Sequence, residues 1–196
     1  EDGGGQFTAT LTLPESAARD GQIDSGSRYL RSFFSNSVHG LDLAQYVLGK
    51  ATVRHIERIT DDDGLLVGLA ATLSTASGVP LQFTANWGAP ANFALTLDRA
   101  GRRLDLRPFE MATVYEGMQV SEPTHETPIR TYQPVLKQRI MLDPIDMEFK
   151  PGFVVQAHAF RALIAGETSA PAAGIDDAYS VLKLAEELAG TIFDGV

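Results

Sequence analysis

His39, Asp42, Leu43 and Tyr46 recur at i, i+3, i+4 and i+7. A helix there would hold an imidazole, a carboxylate and a phenol on one face. The chemistry that follows is proton transfer, because a neutral imidazole can accept a proton near pH 7. Ser35, Asn36 and Ser37 come just before the histidine, and each can cap a first turn by accepting a backbone N–H, while Gly49 suits the left-handed stop. On this reading a polar loop runs into a short amphipathic helix. His39 then sits in the first turn, where the positive end of the helix dipole favours the neutral imidazole. The alternative is a half-buried histidine that only hydrogen-bonds Asp42 or a loop carbonyl, and spacing does not separate the two.

The rest of that helix must seat these groups. Val38, Leu41, Ala44, Val47 and Leu48 form its apolar stripe, which needs a core to face. Strands that could supply one are legible on both sides. Phe7, Ala9, Leu11 and Leu13 alternate with threonines, residues 52–60 read as a second strand, and Asp61-Asp62-Asp63-Gly64 as its turn rather than a calcium loop. Leu65 to Leu73 alternate again, and Leu81, Phe83, Ala85 and Trp87 alternate with Gln82, Thr84 and Asn86. Phe93, Leu95 and Leu97 turn at Gly101 into Leu104 and Leu106. Short turns between successive strands predict an antiparallel meander, apolar on one face and rich in Thr, Gln and Asn on the other.

Residues 111–115 suggest one more short strand, and residues 116–128 a long polar loop. That loop carries Glu122, His125 and Glu126, which read as exposed side chains rather than metal ligands. Residues 129–147, with Pro134 and Pro144, read as extended and edge-like. The tail is helical: Phe153, Ala157, Phe160 and Ile164 form one stripe, with His158 off it. A second stripe runs from Ala178 to Ile192 behind Asp176 and Asp177. Helices are therefore expected near residues 38–48, 152–165 and 175–192, packed on one side of the sheet.

Composition narrows the classes. The chain has 196 residues, 44% of them hydrophobic, which suits one globular domain over residues 6–196 behind a flexible leader at residues 1–5. A net charge of −9 argues against a nucleic-acid partner, which needs a basic surface. Cysteine is absent, so thiolate chemistry and Cys-ligated zinc are excluded. No run of 18 apolar residues occurs, so no membrane span is expected, and a cytoplasmic location is. The chain opens at Glu1 rather than at methionine, so a fragment or a processed product is expected.

Ser-Val-His-Gly-Leu-Asp-Leu-Ala-Gln-Tyr-Val-Leu-Gly, residues 37–49, resembles the G-x-H-x-x-D-L-x-x-x-L-x-G helix of the Gfo/Idh/MocA family of sugar and polyol oxidoreductases. Gln82 to Pro90 with Phe93 to Leu106, and Phe149 to Gly166 with Pro171 to Ile192, resemble two further stretches of that family in the same order. The resemblance spans nearly all of the chain. It implies an α+β fold, an open, mostly antiparallel β-sheet with helices packed on one face, as in dihydrodipicolinate-reductase-like C-terminal domains. It implies that His39 takes part in acid–base catalysis, that Ser35, Asn36 and Tyr46 bind a small sugar or polyol, and that the open sheet face makes a homodimer.

NAD or NADP is implied for the full-length protein, with no cofactor on this chain. No G-x-G-x-x-G turn occurs, and the family's Glu-Lys-Pro lysine, which lies in its first, Rossmann domain, is absent too. Alone, the chain is expected neither to hold the dinucleotide well nor to turn over. One departure touches the chemistry: many family members carry an aspartate where Ser35 stands, and a serine cannot act as a carboxylate base. A non-catalytic ligand-binding or regulatory protein on the same fold is therefore the rival reading.

Overall fold

The computed structural model describes residues 8–13, 30–64, 66–86, 89–167 and 172–191. The expected leader at residues 1–5 and Trp87 lie outside them. The described strands are β1 (Thr8–Leu13), β2 (Ala51–Thr60), β3 (Leu66–Thr75), β4 (Pro80–Asn86), β5 (Ala94–Arg99), β6 (Arg102–Leu106), β7 (Ala112–Ser121) and β8 (Thr131–Ile140). The helices are α1 (Val38–Leu48), α2 (Pro144–Glu148), α3 (Phe153–Ile164) and α4 (Ile175–Ala189). All eight strands join one sheet in the order β2-β3-β4-β1-β5-β6-β7-β8. The α+β class and the open, mostly antiparallel sheet are as the sequence predicts.

The simple meander is not. β1 lies between β4 and β5, parallel to the former and antiparallel to the latter. Its Ala9 and Leu11 are 1% and 0% exposed, and a strand so buried is best satisfied with both edges paired. On the same side Leu69, Leu73, Leu81, Phe83 and Leu95 meet Leu41 and Leu48 of α1 and Leu184 and Leu188 of α4. Each such side chain stabilises the fold by about 1.5–3 kcal/mol through burial. The two helices also pack on each other.

The other face of the sheet is polar and self-satisfied. Thr72 Oγ1 donates to Gln82 Oε1 (3.1 Å), Thr96 Oγ1 to Asp105 Oδ1 (2.8 Å), and Arg54 Nε to Ser74 Oγ (2.6 Å). The register sets Thr10 opposite both Gln82 and Thr96, so one polar row crosses the middle of the sheet.

Beyond β6 three expectations need correction. The strand begun at residue 112 runs on to Ser121, so much of the expected polar loop is paired. The pairing survives because the register skips between Tyr115 and Met118, and Gly117 there takes φ 76°, a left-handed conformation that suits glycine. Residues 129–147 are not extended throughout. Pro144 opens the short α2, whose N-cap Asp143 accepts from Ile145 N–H at 3.0 Å. Helix α3 forms as predicted, yet none of its residues is buried. It follows the far edge strand β8 and packs chiefly on α2, so its stripe of Phe153, Phe160 and Ile164 stays 56–73% exposed.

Candidate functional site

Residues 30–32 are already helical, and Phe33–Ser37 form a π-helical turn that runs straight into α1. This corrects the expected polar loop and serine cap. Phe33 and Phe34 are 0% and 9% exposed and anchor the segment in the core, with their rings edge-on at 5.7 Å. Val38 N–H donates back to Phe33 O across the wide turn, and Ser37 makes no side-chain cap bond. His39 thus stands inside a continuous helix, not in its first turn, and the dipole argument for its neutral form no longer applies. π turns set into α-helices are frequent at functional sites.

Helix α1 ends where the sequence predicts. Gly49 takes φ 79° and donates to Gln45 O at 2.8 Å, and a Cβ there would come within 2.9 Å of Ala76 Cβ. Just inside that end, Gln45 Oε1 accepts from Ala51 N–H at 3.0 Å and from Ser180 Oγ at 3.2 Å. One side chain thereby ties α1 to the start of β2 and to α4. At the head of α4 the carboxylate of Asp177 accepts from Gly174 N–H at 2.8 Å, half of a capping box.

These ties leave a cavity of about 560 Å³ between α1 and the head of α4. His39, Asp42, Leu43, Gln45 and Tyr46 form its α1 wall, Ala172, Ala173, Asp177 and Ser180 its opposite wall, and Lys50 one end. His39 is exposed, and Tyr46 is 73% exposed. Half-burial of Asp42 raises its pKa above the ordinary carboxylate value, the neighbouring Asp177 charge raises it further, and His39 opposes the shift. A site with an accessible imidazole and two carboxylates can move protons and accept hydrogen bonds from hydroxyl groups.

Of the residues the sequence singles out, the structure brings His39 and Tyr46 to this cavity. Ser35 and Asn36 lie exposed on the π turn outside its lining, with Ser35 Oγ donating to Ser32 O at 3.5 Å. As cavity residues Gln45, Asp177 and Ser180 escaped the sequence reading, in which Asp177 marked only a helix start. Gln45 was visible in principle, three residues beyond Asp42 as Asp42 is beyond His39. The α4 residues were not, since nothing local brings residues 177 and 180 to residue 39.

Elsewhere, Glu122, His125 and Glu126 are exposed, and Glu122 instead pairs with Arg130 at 2.7 Å. No group of three metal-ligating side chains occurs among the described residues. No described helix is long and apolar enough to cross a membrane. Two carboxylates in the lining, Asp42 and Asp177, do not suit a dinucleotide's pyrophosphate, and the sequence has no G-x-G-x-x-G.

No family model matches the sequence, and no curated protein matches it. Solved structures match the fold. A dehydrogenase (MviM) from Clostridium difficile superposes with TM-score 0.63 and 10% identity over 95% of this chain and 54% of its own. Levoglucosan dehydrogenase, in complex with NADH and L-sorbose, gives TM-score 0.58 and 14% identity over 94% and 56%. UDP-N-acetylglucosamine 3-dehydrogenase GnnA from Acidithiobacillus ferrooxidans gives 0.57 and 13% over 97% and 56%. These neighbours are dehydrogenases of the Gfo/Idh/MocA type, and the chain has the fold of the portion it matches. It spans about half the length of each.

Proposed function

We propose that this chain is the substrate-binding part of a sugar or polyol oxidoreductase, with His39 exchanging a proton with the hydroxyl under oxidation. The observation that carries the reading is an exposed histidine on the wall of a 560 Å³ cavity, beside a half-buried aspartate, on a fold shared with sugar dehydrogenases. NAD or NADP, the hydride carrier named or implied for such neighbours, is assigned to a part of the protein outside this chain. Tyr46 shares the cavity wall and is assigned a substrate hydroxyl. Ser35 and Asn36 lie upstream of His39 on the same continuous helix and are assigned the outer edge of the ligand. The cytoplasmic location rests on the same analogy.

The test is hydride transfer in the intact protein, followed as NAD(P)H absorbance against a panel of sugars and polyols. His39→Asn is expected to lower turnover by about 10²- to 10⁴-fold, as loss of a general base does, while cofactor affinity holds. Turnover unchanged in His39→Asn rejects the assignment. No turnover in the wild-type protein, with polyol still bound, favours the non-catalytic reading, to which Ser35 in the place of an aspartate already lends weight.

We further assign the polar sheet face to a two-fold homodimer. Its small side chains (Thr10, Thr12, Ala70, Thr72 and Thr84 across β1, β3 and β4) allow sheets to approach to about 10 Å, and non-obligate interfaces are no more apolar than ordinary surface. Light scattering at high concentration is expected to give twice the chain mass of 21.1 kDa, and a single-chain mass rejects the dimer.

A further inference from the structure

The least explained polar group near the cavity is the amide of Gln45. The residue is 9% exposed yet lines the cavity. Which end of the amide points where is settled by its partners. Ala51 N–H can only donate, so the atom 3.0 Å from it must be the oxygen, and the Ser180 hydroxyl donates to the same atom. Both hydrogens on Nε2 are thereby left over, and among the described residues nothing accepts them. A buried donor without an acceptor is costly and uncommon in folded proteins, and such groups are retained where a ligand or an ordered water completes them.

The surrounding charges say what kind of acceptor fits. Asp42 and Asp177 line the same space, against Lys50 as its cation. An anionic oxygen reaching Gln45 would have to lie beside two carboxylates, whereas a hydroxyl oxygen can accept from Nε2 while donating its own proton to a carboxylate. We infer that Gln45 is a specificity-determining residue, whose Nε2 donates to a hydroxyl oxygen of an uncharged polyol seated between Asp42 and Asp177. The inference rests on the reading of this cavity as a sugar or polyol site. It goes further in naming the donor and in excluding sugar acids and sugar phosphates as preferred ligands. Ser180 acts through Gln45 as a positioning residue, holding Oε1 so that Nε2 stays aimed inward.

The experiment is a titration of the ¹⁵N-labelled chain with myo-inositol, D-glucose and D-gluconate, following the side-chain amide pair of Gln45. With at least one of the two neutral probes the pair is expected to shift saturably, and gluconate to bind about tenfold more weakly or worse. Gln45→Glu keeps an acceptor for Ala51 N–H but removes both donors. It is expected to fold but to melt below the wild type, because a third carboxylate joins Asp42 and Asp177, and to bind the neutral probe about five- to tenfold more weakly, read on the α1 backbone amides. Ser180→Ala should weaken binding less and broaden the Gln45 pair.

A Gln45 pair that stays still with all three probes overturns the inference. If the α1 amides move while the pair does not, the cavity reading survives without Gln45. If the pair moves but His39→Asn leaves turnover of the intact protein unchanged, the inference stands and the catalytic reading falls. Should Gln45→Glu fail to fold, the wild-type titration decides alone, because the pair can be assigned through bonds.

Discussion

Strands β1 to β5 and strands β6 to β8 belong to one hydrogen-bonded sheet, yet different forces hold the two parts. Under the first lie α1 and α4, with Leu11, Phe33, Phe83, Leu95 and Leu188 fully buried. Across the second run ion pairs: Arg102 to Glu116 (2.9 Å), Lys137 to Glu116 (3.3 Å) and Arg130 to Glu122 (2.7 Å). Met118, Tyr132, Leu136 and Ile140 meanwhile remain about half exposed or more. The paired carboxylate of Glu116 sits below its usual pKa, through hydrogen bonds from Arg102 and Lys137, but exposed pairs of this kind contribute little to stability. Backbone pairing extends a sheet wherever register allows. Burial decides which part of it resists unfolding.

The largest contrast should come from two phenylalanines. Phe83→Ala is expected to destabilise by about 3–5 kcal/mol and Phe160→Ala by less than about 0.5, measured by chemical denaturation. A comparable loss at Phe160 would break the comparison, because it would mean the α3 stripe is covered in solution. Native-state hydrogen exchange should show the same division, with amides of β8 opening at lower free energy than those of β4, although β8 is the longer strand, 10 residues against 7. Equal protection in both would show that β8 opens only with the whole sheet.

A smaller effect lies at the rim of the covered half. Arg58 Nε donates to Leu188 O at 3.0 Å and its Nη2 to Glu187 O at 2.7 Å, closing the last turn of α4 with a cation at the negative end of the helix. Arg58→Ala should lower stability by about 1–2 kcal/mol, and Arg58→Lys should recover only part of it. A full rescue by lysine would reduce the contact to charge alone. The smallest effect concerns Asp42. Because its pKa is raised by folding, the native state holds that proton more tightly than the unfolded chain. Stability therefore declines as pH rises from the ordinary carboxylate range through the raised value. Asp42→Asn should melt about 1–3 °C above wild type at neutral pH and converge with it in acid; a constant difference across pH would deny the shift.

What could be foreseen follows the same division. In the covered half, alternation at Leu81, Phe83 and Ala85 and the helical period of Val181, Ala185 and Leu188 report directly on burial, so strands and helices were legible. In the bare half no buried face imposes a period. The run of β7 past Tyr115 and the helix at Pro144 were missed there, because the one depends on a glycine-assisted register skip and the other on a single N-cap. The site was half legible. His39 and Tyr46 share a helix, and local spacing exposes that. Asp177 and Ser180 arrive from the far end of the chain, and only the packing of α4 on α1 puts them opposite. The π turn was hidden for a different reason: Ser35, Asn36 and Ser37 are the residue types of a cap, and two buried phenylalanines outweigh that local preference.

The position of β1 has a consequence for how the molecule forms. This strand comes before both of its neighbours in the chain, with Phe83 opposite Leu11 on one side and Leu95 on the other. Until β4 and β5 are in place, its backbone groups lack these partners and Leu11 lacks its core. The hairpins of β3 with β4 and of β5 with β6 pair residues close in sequence and can form early, each only marginally stable alone. They become one sheet only when the early strand slides between them, a step with a large loop to close and a correspondingly slow rate. A peptide copy of residues 8–13 supplied in trans would compete for that slot, and the chain is open to such theft only until its own strand has docked.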